Sequence, residues 1–216
     1  MTDPKLAEIL PLRLHIGCGQ VYLKDFCNVD VRTKGHYLVS ERPDLVEKNI
    51  TTVDNYYKRD LGRDGFVSGT YQGGEVVVDK FAFADKLPFR NKSVDEIRCY
   101  QVLEHFDLHE VSRILRHWRL KLKVGGILYI DIPDLEQTAW EYLHAETPQD
   151  KDWYVHLLYG SHKNKYGVHK MMYSRASIAR LLYLNEFDDF KYFPNIHLNK
   201  DGSVLYPAFA IQAIKQ

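Results

Sequence analysis

The sequence predicts an α/β fold built on a mostly parallel β-sheet with helices on its faces. Two observations lead to this prediction. Apolar segments of strand length recur along the chain, separated by loops and by a strongly amphipathic helix. The first of these segments runs into a glycine turn, and the second ends on an acid, Asp30. Open α/β sheets use this arrangement to bind a nucleoside-containing ligand at their carboxyl edge.

Length and composition narrow the class of protein. The 216 residues suffice for a single domain over 1–216, and neither a repeat nor a linker divides them. The 29 basic and 29 acidic side chains cancel, so charge gives no reason to expect nucleic acid or an anionic membrane as a partner. Three cysteines without framework spacing predict reduced thiols. With no signal peptide pattern and no membrane-spanning run, we expect a cytoplasmic protein of unknown oligomeric state.

The opening stretch carries the turn. Leu12–Ile16 is the first predicted strand, Gly17-Cys18-Gly19 is the turn, and Cys27–Val31 is the second strand. Glycines at 17 and 19 permit positive φ and leave no Cβ to block a ligand. The carboxylate of Asp30 can accept two hydrogen bonds from a ribose diol.

Residues 35–74 read as an insertion or lid between the second and third strands. A helix is expected over Asp44–Lys58, where apolar residues recur on one face. Glycines at 62, 65, 69, 73 and 74 then indicate a loop. A surface excursion without a function is the alternative reading.

The middle of the chain alternates strands with a helix. We expect buried strands at Glu75–Lys80, Val94–Tyr100 and Ile127–Ile132. The amphipathic helix spans 107–122, and Gly125-Gly126 is expected to stop it.

The second half is richer in aromatic and histidine residues. A helix is expected over Leu135–Ala145, followed by an irregular loop that reaches Tyr173. Ser174 is a plausible cap for a helix that runs to Leu184. Two last strands, Asp189–Phe193 and Ala208–Ile214, are joined by a turn around 199–202. We expect residues 135–173 to form the substrate side.

Four stretches, in this order, resemble the class I S-adenosylmethionine-dependent methyltransferases: LHIGCG, NVD, LPFRNKSVDEIRCYQVLEHF and LKVGGILYIDIPD. Within that family the chain is most similar to small methyltransferases associated with the biosynthesis of polysaccharides and other glycans. Their "YG…HK…Y" stretch is similar to Tyr159–Tyr173. The resemblance covers about 12–34 and 76–190. It implies a Rossmann-like class I methyltransferase fold, with a mostly parallel seven-stranded sheet and helices on both faces.

The resemblance also implies S-adenosylmethionine as the cofactor and assigns its binding. The glycine turn and Gln101 would lie along the methionine part of the cofactor. Asp30 would bind the ribose hydroxyls, and the residues before LPF would surround the adenine. The expected cofactor-binding residues are His15, Gly17, Cys18, Gly19, Asp30, Phe83, Ala84, Asp85 and Gln101. The family usually has an acid where this chain has Phe83, so Asp85 is the substitute candidate and Asp79 a weaker one. The third glycine of a dinucleotide motif is absent, which argues against a nicotinamide cofactor.

Transfer of a methyl group to a hydroxyl needs an in-line acceptor and a base for its proton. The candidates on loops at the expected sheet edge are His105, Asp134, His162, Tyr166 and His169. We favour His169 or His162, with Asp134 as a further catalytic candidate. The alternative is that these histidines are surface or hydrogen-bonding residues, and His105 is expected to orient its loop.

No metal is expected from the motifs. His105 and His109 are one helical turn apart beside Glu110, but H-E-x-x-H and cysteine pairs at zinc spacing are missing.

The expected activity is S-adenosylmethionine-dependent O-methylation of a sugar or other small-molecule hydroxyl, so the expected partner is a small molecule or glycan. The alternatives are a natural-product O- or N-methyltransferase and a non-catalytic protein that binds the cofactor. No nucleic acid is expected. The basic residues of one helix are read as a solvated face: Arg113, Arg116, Arg119, Lys121 and Lys123.

Overall fold

The structure is a computed structural model, and it describes residues 11–56, 74–162, 166–198, 204 and 206–216. Its strands are β1 (Arg13–Ile16), β2 (Tyr22–Leu23), β3 (Cys27–Asp30), β4 (His36–Leu38), β5 (Ile50–Thr51), β6 (Val76–Val78), β7 (Lys80–Phe81), β8 (Val94–Tyr100), β9 (Leu122–Pro133), β10 (Phe187–Phe193) and β11 (Ala208–Lys215). Its α-helices are α1 (Asp44–Asn49), α2 (Leu108–Lys121), α3 (Leu135–His144), α4 (Pro148–Tyr159) and α5 (Arg175–Leu184).

Seven strands form the central sheet, in the order β10-β11-β9-β8-β1-β3-β7. The pairs from β9 to β7 are all parallel, whereas β11 runs antiparallel to both β9 and β10. This confirms the predicted mostly parallel, seven-stranded Rossmann-like sheet. The chain moves outward from β1 to β3 and β7 and then crosses to β8, on the other side of β1. The crevice above the carboxyl ends of β1 and β8 is therefore a switch point, where open α/β sheets bind ligands.

Helix α2 anchors the loop that borders this crevice. Its apolar face, with Val111, Ile114, Leu115 and Trp118, is buried against the sheet. The indole Nε1 of Trp118 donates a hydrogen bond to the carbonyl of Ala84 at 2.8 Å. Because both partners are buried, this bond fixes residues 83–85 over the sheet edge.

The insertion differs from its expected form. Within the described residues, the helix predicted over Asp44–Lys58 ends at Asn49, and residues 57 and 58 lie outside the described part. The next residues, Ile50–Thr51, pair in parallel with β2. β-Branched side chains at 50–53 disfavour helix and favour strand, which explains the early end. The expected glycines at 62–73 also lie outside the described residues.

The predicted strand Glu75–Lys80 splits into two pieces. Val76–Val78 pairs with His36–Leu38 in a separate two-stranded sheet, and only Lys80–Phe81 joins β3 at the edge of the central sheet. The exposed Asp79 separates the pieces and turns its carboxylate back to the amide of Asn28 at 2.7 Å.

The prediction that Gly125-Gly126 stops the helix is wrong. Helix α2 ends at Lys121, and β9 begins at Leu122 and includes both glycines. The pairing of β8 with β9 shifts register between Val94 and Glu96, opposite this stretch. A Cβ at Gly126 would lie 2.8 Å from the carbonyl oxygen of Lys123. The glycines therefore permit an irregularity inside the strand.

The prediction of a continuous loop after 145 is also wrong, because Pro148–Tyr159 forms α4. Thr147 caps this helix, accepting a hydrogen bond from the amide of Asp150 at 3.1 Å, and Pro148 is its first residue. Trp153 is its buried residue, whereas Val155 and Tyr159 are exposed. Its apolar side chains do not share one face, so the sequence lacks the period of an amphipathic helix. The predicted cap of α5 is confirmed, with Ser174 accepting from Ser177.

The turn expected around 199–202 lies outside the described residues. Among the residues that the structure describes, no helix is long and apolar enough to cross a membrane.

Candidate active site

The glycine turn leaves β1 in a conformation that favours glycine. Gly17 has φ +66° and Gly19 has φ +51°. The amide of Gly17 donates to the carbonyl of Val29 at 2.8 Å, which ties the turn to β3. A Cβ at Gly17 would lie only 2.5 Å from a methyl carbon of Val102, on the loop after β8. The missing side chain at 17 therefore allows two loops to meet at the switch point.

Asp30 holds the same turn from the end of β3. Its Oδ2 accepts a hydrogen bond from the amide of Gly19 at 2.8 Å, and its Oδ1 accepts from the amide of Val31 at 2.7 Å. Burial raises the pKa of Asp30, and these two backbone bonds oppose the rise. Each carboxylate oxygen has a second lone pair. Asp30 can therefore brace the turn and still accept hydrogen bonds from a ligand.

A cavity of about 390 Å³ opens at this edge of the sheet. Six of the expected cofactor-binding residues line it: Gly17, Asp30, Phe83, Ala84, Asp85 and Gln101. Sequence reasoning missed part of the lining, namely Ile16, Val31, Thr33, His36, Ala82, Val102, Phe106, Ser161 and Gly167. Most of these directly follow a predicted site residue in the chain, which was the available signal.

His15, Cys18 and Gly19 do not line the cavity. The ring of His15 is fully buried, with Nδ1 2.9 Å from Oδ1 of Asn28 and Nε2 2.7 Å from the hydroxyl of Tyr56. Burial lowers the pKa of His15 to about 4, so the ring is neutral at pH 7. These bonds connect β1, β3 and the insertion. The side chain of Cys18 is buried beside Val76 and Val78.

The part of the cavity expected to bind adenine contains the exposed ring of Phe83 and the carboxylate of Asp85, which is paired with Arg113. Phe83 is 55% exposed, which is unusual for a phenylalanine and leaves its ring face open at the cavity. Oδ2 of Asp85 accepts a hydrogen bond from Nε of Arg113 at 3.0 Å. The weaker candidate, Asp79, is hydrogen-bonded to the backbone of Asn28 and the hydroxyl of Tyr22 and does not line the cavity.

Gln101 stands at the carboxyl end of β8 in a strained conformation, with φ +54°. Its amide donates to the Asp131 carbonyl at 2.8 Å, and its side-chain Nε2 donates to Oδ1 of Asp131 at 2.7 Å. Asp131 is fully buried in β9, and the same Oδ1 lies 2.7 Å from Nε2 of His197. An acid inside an apolar strand was the sequence signal for this group. The arrangement fixes Gln101 at the cavity wall.

The three proposed catalytic residues lie outside the cavity lining. Asp134 is buried and caps α3, accepting from the amides of Glu136 at 3.0 Å and Gln137 at 3.2 Å. His162 is exposed, with φ +50°. His169 is half-buried, and its Nδ1 lies 2.8 Å from the carbonyl of Leu157.

His105 and Tyr166, from the wider candidate set, do line the cavity. The rings of His105 and His169 meet edge to face at 4.8 Å between centroids. Burial lowers the pKa of His105, and the nearby backbone carbonyls of Val168 and Gln101 oppose this effect. Burial lowers the pKa of His169 to about 4. His169 is thus one ring away from the cavity, behind His105.

Glu104 is a site residue that sequence reasoning missed. Its side chain is fully buried, and neither carboxyl oxygen has a hydrogen-bond partner among the described residues. Burial raises the pKa of Glu104 to about 8. Its backbone carbonyl accepts from the amides of Lys170 at 2.7 Å and Met171 at 3.1 Å, which joins the 159–173 segment to the loop after β8.

The polar and aromatic groups of the cavity wall fit a nucleoside cofactor. Asp30 supplies acceptors for hydroxyl groups, and Phe83 supplies an open aromatic face. Nδ1 of His36 also belongs to a residue of the cavity wall and is buried without a partner among the described residues. A polar atom left in this state is satisfied when a ligand supplies the missing hydrogen bond.

The comparisons with known proteins agree with this reading. Residues 63–130 match the family described as "Methyltransferase domain". No curated protein matches the chain.

Two solved structures illustrate the likeness of fold. A Thermotoga maritima protein, described as a SAM-dependent methyltransferase and possible histamine N-methyltransferase, is 14% identical with a TM-score of 0.53, over 96% of this chain and 84% of the other. A Methanosarcina mazei SAM-dependent methyltransferase is 20% identical with a TM-score of 0.50, over 94% and 91%. At these identities the likeness shows the fold. The class I methyltransferase fold and the matched domain together support a methyltransferase enzyme with S-adenosylmethionine as its cofactor and an unspecified acceptor.

Proposed function

We propose that the enzyme transfers a methyl group from S-adenosylmethionine to a hydroxyl of a sugar or another small polar molecule, in the cytoplasm. The observation that carries the proposal is the composition of the cavity described above. One part of its wall holds the residues expected to bind the cofactor, and another holds His105, Phe106, Ser161 and Tyr166. Aromatic rings with a few polar groups are the usual lining for a hydroxylated small molecule.

The cofactor supplies an electrophilic methyl group when it is bound. Gly17 and Gly19 leave the backbone accessible to its methionine part, and Asp30 accepts from its ribose hydroxyls. Phe83 packs on the adenine, with Ala84 and Asp85 beside it. We leave His15 and Cys18 out of this set, because their side chains are buried in contacts within the protein.

The acceptor approaches from the 159–173 segment. The carbonyl of Glu104 anchors this segment beside the cavity, so Ser161 and Tyr166 stay at the wall. A hydroxyl acceptor must lose its proton during transfer. We assign the proton acceptor to a histidine of this segment, His169 or His162. Asp134 is the third candidate for this role, after the two histidines, because its carboxylate already accepts hydrogen bonds from the backbone amides that begin α3.

The test begins with the cofactor. Calorimetry of the folded protein with S-adenosylmethionine and S-adenosylhomocysteine should show binding of both, and binding of neither would reject the proposal. Transfer is then measured with methyl-labelled cofactor and a panel of free sugars, sugar nucleotides and hydroxylated aromatic compounds. Label should appear as an O-methyl group on a sugar-containing acceptor. Binding without transfer to any class of acceptor would favour a non-catalytic cofactor-binding protein.

A matched pair of variants tests the base. His169→Asn keeps a donor for the Leu157 carbonyl but has no imidazole, and His162→Asn makes the same exchange at the exposed position. At least one of them should lower kcat at unchanged cofactor affinity. Full activity of the double variant would remove both residues from this part of the mechanism.

A further inference from the structure

Three side chains that can bind a metal ion converge beside the cavity. Glu104, His105 and His169 each offer one ligand atom, and these atoms all lie within 4.8 Å of one another. Glu104 and His105 are neighbours on the loop after β8, and His169 comes from the 159–173 segment. Because the ligands come from two distant parts of the chain, no short motif could have predicted them.

The carboxyl group of Glu104 is the strongest sign of a missing ligand. It is fully buried, and neither of its oxygens has a hydrogen-bond partner on another described residue. A buried polar group without a partner is costly, and an ion or a water is the usual explanation. Neither of the two nearby histidines is hydrogen-bonded to it, so the three groups lie close together without satisfying one another.

Each histidine contacts a backbone carbonyl through Nδ1, as metal-ligating imidazoles commonly do. Nδ1 of His105 lies 3.1 Å from the carbonyl of Val168, and Nδ1 of His169 lies 2.8 Å from the carbonyl of Leu157. A carbonyl only accepts, so each Nδ1 carries the proton and each Nε2 keeps its lone pair. This second bond to a backbone carbonyl fixes the tautomer and orientation of metal-bound histidines generally. The carbonyl of Gln101 also acts on the His105 ring and is the group with which an ion would compete.

We propose that Glu104, His105 and His169 bind a divalent transition-metal ion, with zinc as the best chemical match. Two imidazoles and a carboxylate form a recognised zinc set that leaves a position open for a further ligand. Imidazole ligands disfavour magnesium and calcium, which prefer oxygen. Ligand atoms of a tetrahedral zinc ion lie about 3.3 Å apart, so binding draws the three groups together by up to about 1.5 Å.

A position left open on the ion would be available to the acceptor through the cavity that His105 lines, and here the inference rests on the proposed function. His105 lines the cavity, whereas Glu104 and His169 lie behind it. An ion at this point can coordinate the acceptor hydroxyl and lower its pKa, so that the proton leaves before the oxygen attacks the methyl carbon and the carbon–sulfur bond breaks. His169 then acts as a ligand, and His162 remains as the histidine that takes the proton.

The hydroxyl of Tyr173 is a second buried polar group in the neighbourhood of Glu104. It too lacks a partner among the described residues, and the charge of Glu104 acts on it. When an ion binds one oxygen of Glu104, the other oxygen can accept from this hydroxyl. Such hydrogen bonds to a ligating carboxylate are a common feature of metal sites.

The test measures ion binding on the 216-residue chain, separately from activity. After treatment with a chelator, the protein is titrated with zinc by calorimetry and with cobalt by visible absorption, which reports the coordination geometry. We expect a single ion per chain, a cobalt spectrum typical of nitrogen and oxygen ligands, and no comparable binding of magnesium. Absence of zinc and cobalt binding by the folded protein would overturn the inference and leave water as the occupant of the site.

Three variants locate the site. His169→Asn keeps a donor for the Leu157 carbonyl and removes Nε2, and Glu104→Gln keeps the shape and removes the charge. Each should weaken zinc binding by more than about 100-fold. His109→Asn changes an exposed histidine one turn further along and should bind zinc as the wild type does. Circular dichroism confirms that the variants are folded. Equal zinc affinity in all three would place any bound ion elsewhere.

Cofactor binding separates this inference from the proposed function. If the chelator-treated protein binds S-adenosylmethionine and methylates its acceptor at the full rate, the metal proposal fails and the methyltransferase proposal stands. If zinc binds at this site but the cofactor does not bind, the proposed function fails and the metal site stands.

Discussion

The carboxylate of Asp30 accepts a hydrogen bond from the amide of Gly19 at 2.8 Å, across 11 positions of the chain. The same carboxylate accepts from the amide of Val31, so one acid braces both the glycine turn and the start of the following loop. Because Asp30 also lines the cavity, the group that shapes the turn is the group that meets the ligand. Stability and cofactor binding are therefore linked at this residue.

Asp30→Ala should lose both effects. Two backbone amides lose their acceptor, which costs about 1–3 kcal/mol in the free energy of unfolding. The ribose hydroxyls lose theirs, so affinity for S-adenosylhomocysteine should fall by at least about tenfold. Calorimetry and urea denaturation measure the two changes. The exposed Asp54 provides the control, and Asp54→Ala should change neither quantity. Unaltered affinity in Asp30→Ala would remove Asp30 from the cofactor site.

Gly17→Ala should be more harmful than alanine at another positive-φ glycine. The new Cβ meets a methyl of Val102 at 2.5 Å, whereas a Cβ at Gly125 meets nothing within 4 Å. Gly125→Ala therefore measures only the backbone cost, about 1 kcal/mol, and Gly17→Ala adds an overpacking cost of about 1–3 kcal/mol. Urea denaturation of both variants gives the difference.

A double variant isolates the steric part of that cost. Val102→Ala removes the methyl groups that the new Cβ meets, so Gly17→Ala should cost less in a Val102→Ala background than alone. Additive effects would mean that contact with Val102 is not the reason for glycine at 17.

Phe83→Ala should affect ligand binding more than stability. The side chain is 55% exposed, so its removal should change the free energy of unfolding by less than about 0.5 kcal/mol. Stacking of an aromatic ring on a base contributes about 1–3 kcal/mol, so affinity for S-adenosylhomocysteine should fall by about tenfold or more. Tyr183, which is 66% exposed and outside the cavity, gives the matched control Tyr183→Ala. Equal ligand affinity in both variants would contradict the placement of adenine at Phe83.

The sequence was sufficient for the sheet and for one wall of the cavity. Apolar runs identify the long strands, because strands buried on both faces need apolar side chains throughout. The glycine turn was recognisable because its positive φ angles favour glycine, and Asp30 because it ends the next strand. Helix α4 was missed because its single buried residue, Trp153, gives no helical period. The strand Val76–Val78 pairs with His36–Leu38 outside the central sheet, and the sequence did not predict this pairing. Three residues carry too little pattern to identify the neighbouring strand.

The metal-like cluster was beyond sequence reasoning for a different reason. Glu104 is a charged residue between Leu103 and His105, and a glutamate ordinarily faces water. Its burial arises only when the 159–173 segment folds back and the amides of Lys170 and Met171 bind its carbonyl. That contact joins residues more than sixty positions apart and has no local signature.

The buried ring of His15 should make stability depend on pH. Burial is the main reason that its pKa falls from an ordinary value of about 6.5 to about 4, and the charge of Arg98 lowers it further. Between these values the unfolded chain binds a proton and the folded chain does not, so the free energy of unfolding decreases as pH falls from about 6.5 to 4. The contribution of His15 amounts to about 2 kcal/mol lost between pH 7 and pH 5.

Urea denaturation at pH 7 and pH 5 measures this loss in the wild type and in His15→Gln. The variant should be less stable at pH 7, because the bonds to Asn28 and Tyr56 are weakened. It should nevertheless lose about 2 kcal/mol less than the wild type on acidification, since glutamine binds no proton in this range. The control is His109→Gln at an exposed position. Its free energy of unfolding should change between pH 7 and pH 5 by as much as that of the wild type. If His15→Gln shows the full wild-type loss, other groups cause the acid sensitivity and the neutral, buried state of His15 does not.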